Sequence, residues 1–60
     1  MSYEEYRKLK VGDDCVIIQT GEPGKVLSIN NKTSDILLGA KRVVKGYVKE
    51  WFNYTHLGKI

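Results

Sequence analysis

Asp14-Cys15-Val16-Ile17-Ile18-Gln19-Thr20, Gly21-Glu22-Pro23-Gly24, Lys25-Val26-Leu27-Ser28-Ile29-Asn30 is the stretch that decides the fold. Its two outer blocks are rich in β-branched side chains, which are stiff at χ1 and pack well on a pleated surface. The block between them reverses the chain. Pro23 followed by Gly24 suits the central pair of a type II turn, because proline holds φ near −65° and glycine accepts a positive φ. The reading is therefore two antiparallel strands, Asp14–Thr20 and Lys25–Asn30, joined by a short turn.

The pattern continues toward the C-terminus. Asn30-Asn31-Lys32-Thr33-Ser34 is polar and turn-forming. Asp35–Ala40 supplies a third strand around Ile36, Leu37 and Leu38, and Tyr47–Tyr54 a fourth. Gly39 and Gly46 bracket a basic stretch that is either a strand extension or a loop. Thr55-His56-Leu57 reads as a single tight turn before a short final strand ending at Ile60. Toward the N-terminus, Ser2 with Glu5 three residues later forms a capping box for a short helix reaching about Lys10. Tyr6 and Leu9 fall on one face of that helix, which must dock, since so short a helix is unstable alone.

Whole-chain numbers agree. Val, Ile and Thr together number 14 while Ala occurs once, and 42% of the 60 residues are apolar. This is a globular, mostly β chain forming a single domain, with residues 1–10 as helix and 11–60 as sheet. An open sheet of this size leaves a face and two edges uncovered, so rolling into a small barrel of about five antiparallel strands is expected, with the helix at an open end. The expected core is Val16, Ile18, Val26, Ile29, Ile36, Leu38, Val48, Phe52 and Leu57, although Cys15, Ile17, Leu27 and Leu37 are apolar too and leave the parity of the first three strands open. The long uncharged stretches, Cys15–Gly21 and Trp51–Gly58, are seven and eight residues, far short of the ~20 that span a bilayer. No membrane association and no secretory signal are expected. A single cysteine cannot form an internal disulfide, which fits the cytoplasm.

Residues Val11-Gly12-Asp13, Val16-Ile17-Ile18, Gly21 and Gly24-Lys25-Val26-Leu27-Ser28-Ile29 resemble the KOW motif. That motif has Gly-Asp leading into a strand, a glycine-bearing turn and then Gly-x-Val-x-x-Ile. It occurs in SH3-like barrels of transcription elongation factors and some ribosomal proteins. The likeness covers roughly residues 11–29, and Trp51–Leu57 would supply an SH3-like aromatic strand and its closing turn. The turn Gly21–Gly24 departs from the family in being short and acidic where a longer basic loop is usual. The resemblance implies an SH3-like barrel with a binding role. The chain also reads as a complete short open reading frame from Met1, and small free-standing SH3-like proteins are commonly phage or mobile-element products, some acting on host machinery such as the transcription apparatus.

Catalytic chemistry finds little support. Cys15 and His56 are single residues of their kinds, and Cys15 lies in an apolar strand where a thiol behaves as a small hydrophobe. Two such side chains fall short of the four ligands of a structural zinc site. Gly21–Val26 shares glycines and a lysine with phosphate-binding loops but lacks the Gly-x4-Gly-Lys-Ser/Thr spacing and leads into a strand. Asp13 and Asp14 are adjacent, so on a strand they point to opposite faces. The expectation is no enzyme, no metal, no cofactor and no small-molecule substrate.

Charge is unevenly placed. Residues 1–40 carry five basic and six acidic side chains, a net of −1, whereas residues 41–60 carry Lys41, Arg42, Lys45, Lys49 and Lys59 against Glu50, a net of +4. One reading is a solvated surface that keeps a small protein soluble, the other a positive face for an anionic partner. Along the fourth strand, alternation puts Val48, Glu50, Phe52 and Tyr54 on one face and Tyr47, Lys49, Trp51 and Asn53 on the other. Turning the first set inward leaves Tyr47 and Trp51 outside, flanking Lys49, unless the helix or a bulge covers Trp51. Rings interleaved with cations suit nucleic acid, since rings stack on bases and lysines neutralise phosphates. The candidate binding residues are Lys41, Arg42, Lys45, Tyr47, Lys49 and Trp51, with Lys25 left open. The partner is nucleic acid or a nucleoprotein complex, or alternatively an acidic protein surface gripped by an adaptor or inhibitor, since Trp, Tyr and Arg dominate interface hot spots.

Overall fold

The structure, a computed structural model, describes residues 1–42 and 46–60, with Lys41 and Arg42 described by their backbone alone. Helix α1 (Tyr3–Lys8) precedes strands β1 (Asp14–Ile17), β2 (Pro23–Asn30), β3 (Asp35–Arg42) and β4 (Gly46–Asn53). A 3-10 turn (Tyr54–His56) then leads into β5 (Leu57–Lys59). All pairings are antiparallel, in the order β4-β3-β2-β1-β5. The sheet curls into a half-barrel, the form of a small SH3-like barrel. Among the described residues no pairing joins β4 to β5, so these are its two edges.

The helix forms where its cap dictates. The Glu5 N–H donates to Ser2 Oγ at 3.2 Å and the Ser2 N–H to Glu5 Oε1 at 2.9 Å, the reciprocal capping box. The second of these bonds holds the Glu5 carboxyl below its usual range. Tyr6 is the buried residue of the helix, its ring stacked on Tyr54 at 5.0 Å between centroids and its hydroxyl donating to Asn31 Oδ1. Tyr3 closes the trio edge-on against Tyr54. The N-terminal amine donates to the carbonyls of Leu57 and Tyr54. The helix thus docks at the end of the sheet where β4 gives way to the 3-10 turn, and its rings engage Tyr54 rather than Trp51.

The core contains Tyr6, Cys15, Ile17, Val26, Ile36, Leu38, Ala40 and Leu57. Of the expected set, Val26, Ile36, Leu38 and Leu57 are buried. Ile29 and Phe52 are half-buried and pack against the core, and Val48 is half-buried. Val16 and Ile18 are corrected. Cys15 and Ile17 point inward, while Val16 is half-buried and Ile18 exposed. Four consecutive apolar residues carry no parity of their own, and the register sets it: Ile17 lies opposite the buried Leu57. Burial also pushes the Cys15 thiol above its ordinary pKa, with the charge of Asp13 adding to the effect.

The first turn is corrected as well. β1 ends at Ile17, and the chain reverses through Ile18–Gly21 rather than through Pro23-Gly24. Gly21 takes the left-handed φ of +76°, and its N–H donates to the Ile17 carbonyl at 2.7 Å. Pro23 instead starts β2, where a missing N–H is tolerated. Gly24 serves close packing, because a Cβ there would lie 2.7 Å from Leu38 Cδ2. Further along β2 the register shifts between Val26 and Ser28, so that Leu27 and Ser28 share Leu37 as a partner, as in a β-bulge. The extra residue puts Val26 and Ile29, three apart, on the same inner face.

Candidate binding face on β4

β4 sits at the edge of the sheet, and its ladder with β3 sorts its residues into two rows. Ile36, Leu38 and Ala40 of β3 face Phe52, Glu50 and Val48 across the ladder, while Leu37 faces Trp51, Gly39 faces Lys49 and Lys41 faces Tyr47. The first row holds the buried side chains of β3, Ile36, Leu38 and Ala40, so it is the inner side. Tyr47, Lys49 and Trp51 therefore share the outer side, as the alternation predicts. Tyr47 is 59% exposed and Trp51 53%, and Lys49 between them is exposed.

The six candidate residues are not equally placed. Tyr47, Lys49 and Trp51 form an i, i+2, i+4 row spanning about 13 Å at ~3.3 Å per residue. The backbone of Lys41 pairs with Tyr47 and that of Arg42 with Gly46. Lys45 lies outside the described residues, as do the side chains of Lys41 and Arg42.

One further cation joins the face through register alone. Lys25 of β2 pairs with Gly39, which pairs with Lys49. The two lysines therefore stand in one row across three strands, both exposed, with a glycine between them. Lys25 Nζ lies 3.7 Å from Asp14 Oδ1 at the β1 end of this row. Both side chains are largely exposed, so the pair is weak. Gly39 is buried, because the phenol end of Tyr47 reaches diagonally over it: a Cβ at this position would lie 2.8 Å from Tyr47 Cζ and 2.9 Å from Leu27 Cδ1. The space that a side chain would fill is taken by a neighbour's ring.

The residues of a nucleophilic site are apart in exposure: Cys15 is fully buried and His56 exposed on the 3-10 turn. Among the described residues no group of three or more His, Cys, Asp or Glu is placed to hold a metal ion, and no helix is long and apolar enough to cross a membrane. A cleft beside the helix, bordered by Tyr6, Leu9, Ile29 and Asn31, lies away from the β4 face. No protein-family model matches the chain, and no curated protein or solved structure matches it.

Proposed function

We propose that this protein is a non-enzymatic, KOW-like binding module of the cytoplasm that holds nucleic acid, or a nucleoprotein complex, against the outer face of β4. One observation carries the reading: Tyr47, Lys49 and Trp51 stand exposed in a single row, ring–cation–ring. Base stacking on such exposed rings contributes ~1–3 kcal/mol each. The net charge of +4 over residues 41–60 supplies the long-range attraction. Trp51 also faces the half-buried Leu37, an apolar-aromatic pair of the kind that anchors protein interfaces, and this favours the adaptor as the second reading.

Titration of labelled oligonucleotides at ~50 mM salt, followed by anisotropy, separates the two. With three or four phosphates neutralised, the logarithm of the association constant falls against that of salt with a slope of roughly −2 to −4. Trp51→Ala weakens binding and leaves the slope nearly unchanged, whereas joint removal of Lys41, Arg42 and Lys45 flattens it. Absence of binding to any oligonucleotide at low salt refutes the nucleic-acid reading and leaves the adaptor.

A further inference from the structure

We infer that the ligand of this face is an unpaired strand that crosses the sheet from β4 toward β2, with its phosphates on the Lys49–Gly39–Lys25 row and a base on Trp51; this rests on the nucleic-acid reading above. Two adjacent rows on the outer side differ in chemistry. The first is Lys49, Gly39 and Lys25; the second is Trp51, Leu37 and the Leu27–Ser28 bulge. At ~4.8 Å between strands the two lysines are about 10 Å apart, and the rows lie about 7 Å from each other. A backbone laid over the cationic row presents its bases to the aromatic and apolar one. A duplex cannot use this pairing of rows, because its bases are stacked inside and unavailable to Trp51.

Gly39 is the positioning residue of this arrangement. Lacking a Cβ, it lets Tyr47 lie down diagonally between the two lysines, and a methyl group here meets both Tyr47 and Leu27. Asp14 ends the cationic row, and its contact with Lys25 competes with a phosphate for the same ammonium. Lys25 and Asp14 thus acquire opposed roles at one end of the track.

The test uses the intact chain with a labelled oligo(dT) of about 12 nucleotides and a duplex of matching length. The single strand binds at least about ten-fold more tightly than the duplex. Lys25→Ala reduces the salt slope by about 0.7, the value for one phosphate on a single strand. Lys32→Ala, an equal loss of charge on the exposed β2–β3 turn, leaves it in place. Asp14→Asn raises affinity about two- to five-fold, the size of one exposed ion pair released. Gly39→Ala lowers affinity about five-fold or more by lifting Tyr47, with circular dichroism reporting whether it folds. Equal slopes for the Lys25 and Lys32 variants, no gain from Asp14→Asn, or equal binding of strand and duplex would overturn this track while leaving nucleic-acid binding intact. Failure of the unmodified chain to bind either probe overturns both.

Discussion

Ile17 and Ile18 are neighbours of identical chemistry, 4% and 59% exposed. Truncating each to Ala is therefore an internal control for the parity of β1. Ile17 packs in the core opposite Leu57, and its loss removes buried methyl groups and leaves a cavity, at ~2–5 kcal/mol. Ile18 faces solvent from the turn, so its truncation falls within about 0.5 kcal/mol of no effect. A 60-residue domain at ~0.05–0.15 kcal/mol per residue holds only about 3–9 kcal/mol in total. Ile17→Ala can consume much of that, and Ile17→Val, at ~0.5–1.5 kcal/mol, keeps the comparison within the folded range. Urea unfolding followed by far-UV circular dichroism reads both series, with a lowered midpoint and an unchanged slope for the Ile17 variants. An Ile18 cost equal to or above that of Ile17 would refute the inward placement of Cys15 and Ile17. It would restore the Val16/Ile18 face as the core.

Other outcomes follow from single groups. The Cys15 thiol, held protonated by burial, reacts with an aromatic disulfide reagent only as fast as the domain opens. Its raised folded pKa means that its contribution to stability is intact below the ordinary thiol range of ~8.5 and is lost as pH rises through the higher folded value, so Cys15→Ala flattens the alkaline limb of a stability profile. Ser2→Ala costs about 1 kcal/mol by uncapping α1, read from the urea midpoint. The Glu5 carboxyl, depressed by the Ser2 N–H, contributes stability above its unfolded pKa of ~4.3 that is lost as pH falls through the folded value. Glu5→Gln, which cannot titrate, removes that part of the acid limb.

What could be read from the sequence was whatever neighbours in the chain determine. The capping box needs only Ser2 and Glu5, and it formed at those residues. β4 shows its two rows by period alone, but each row holds two large apolar or aromatic groups and one charge, and the ladder to Ile36, Leu38 and Ala40 is what turns Val48, Glu50 and Phe52 inward. β1 declares nothing, since Cys15–Ile18 is apolar on both sides and the decision rests with Leu57, forty residues away. The bulge is equally silent: Val26 and Ile29 read as core residues, but their spacing of three reaches one face only because the chain slips at Leu27. The turn misled because Pro23-Gly24 carries a strong local signal that tertiary packing overrides. Gly24 is required beneath Leu38, and the positive φ moves to Gly21.

The binding face divides along the same line. Tyr47, Lys49 and Trp51 are consecutive alternate residues of one strand, so a period of two was enough to group them. Lys25 is 24 positions from Lys49 in the chain and meets its row only because β2 and β4 both pair with Gly39. No local pattern encodes that coincidence. Gly39 itself is unremarkable in the sequence, where a glycine inside a strand reads as a weakness of the strand. Its role depends on a residue diagonal to it on the next strand, whose ring occupies the place of the missing side chain. A charge shared across strands and a ring seated on a glycine are both properties of register. A small sheet thereby carries two rows of distinct chemistry on a face that the chain, read in order, shows only as one.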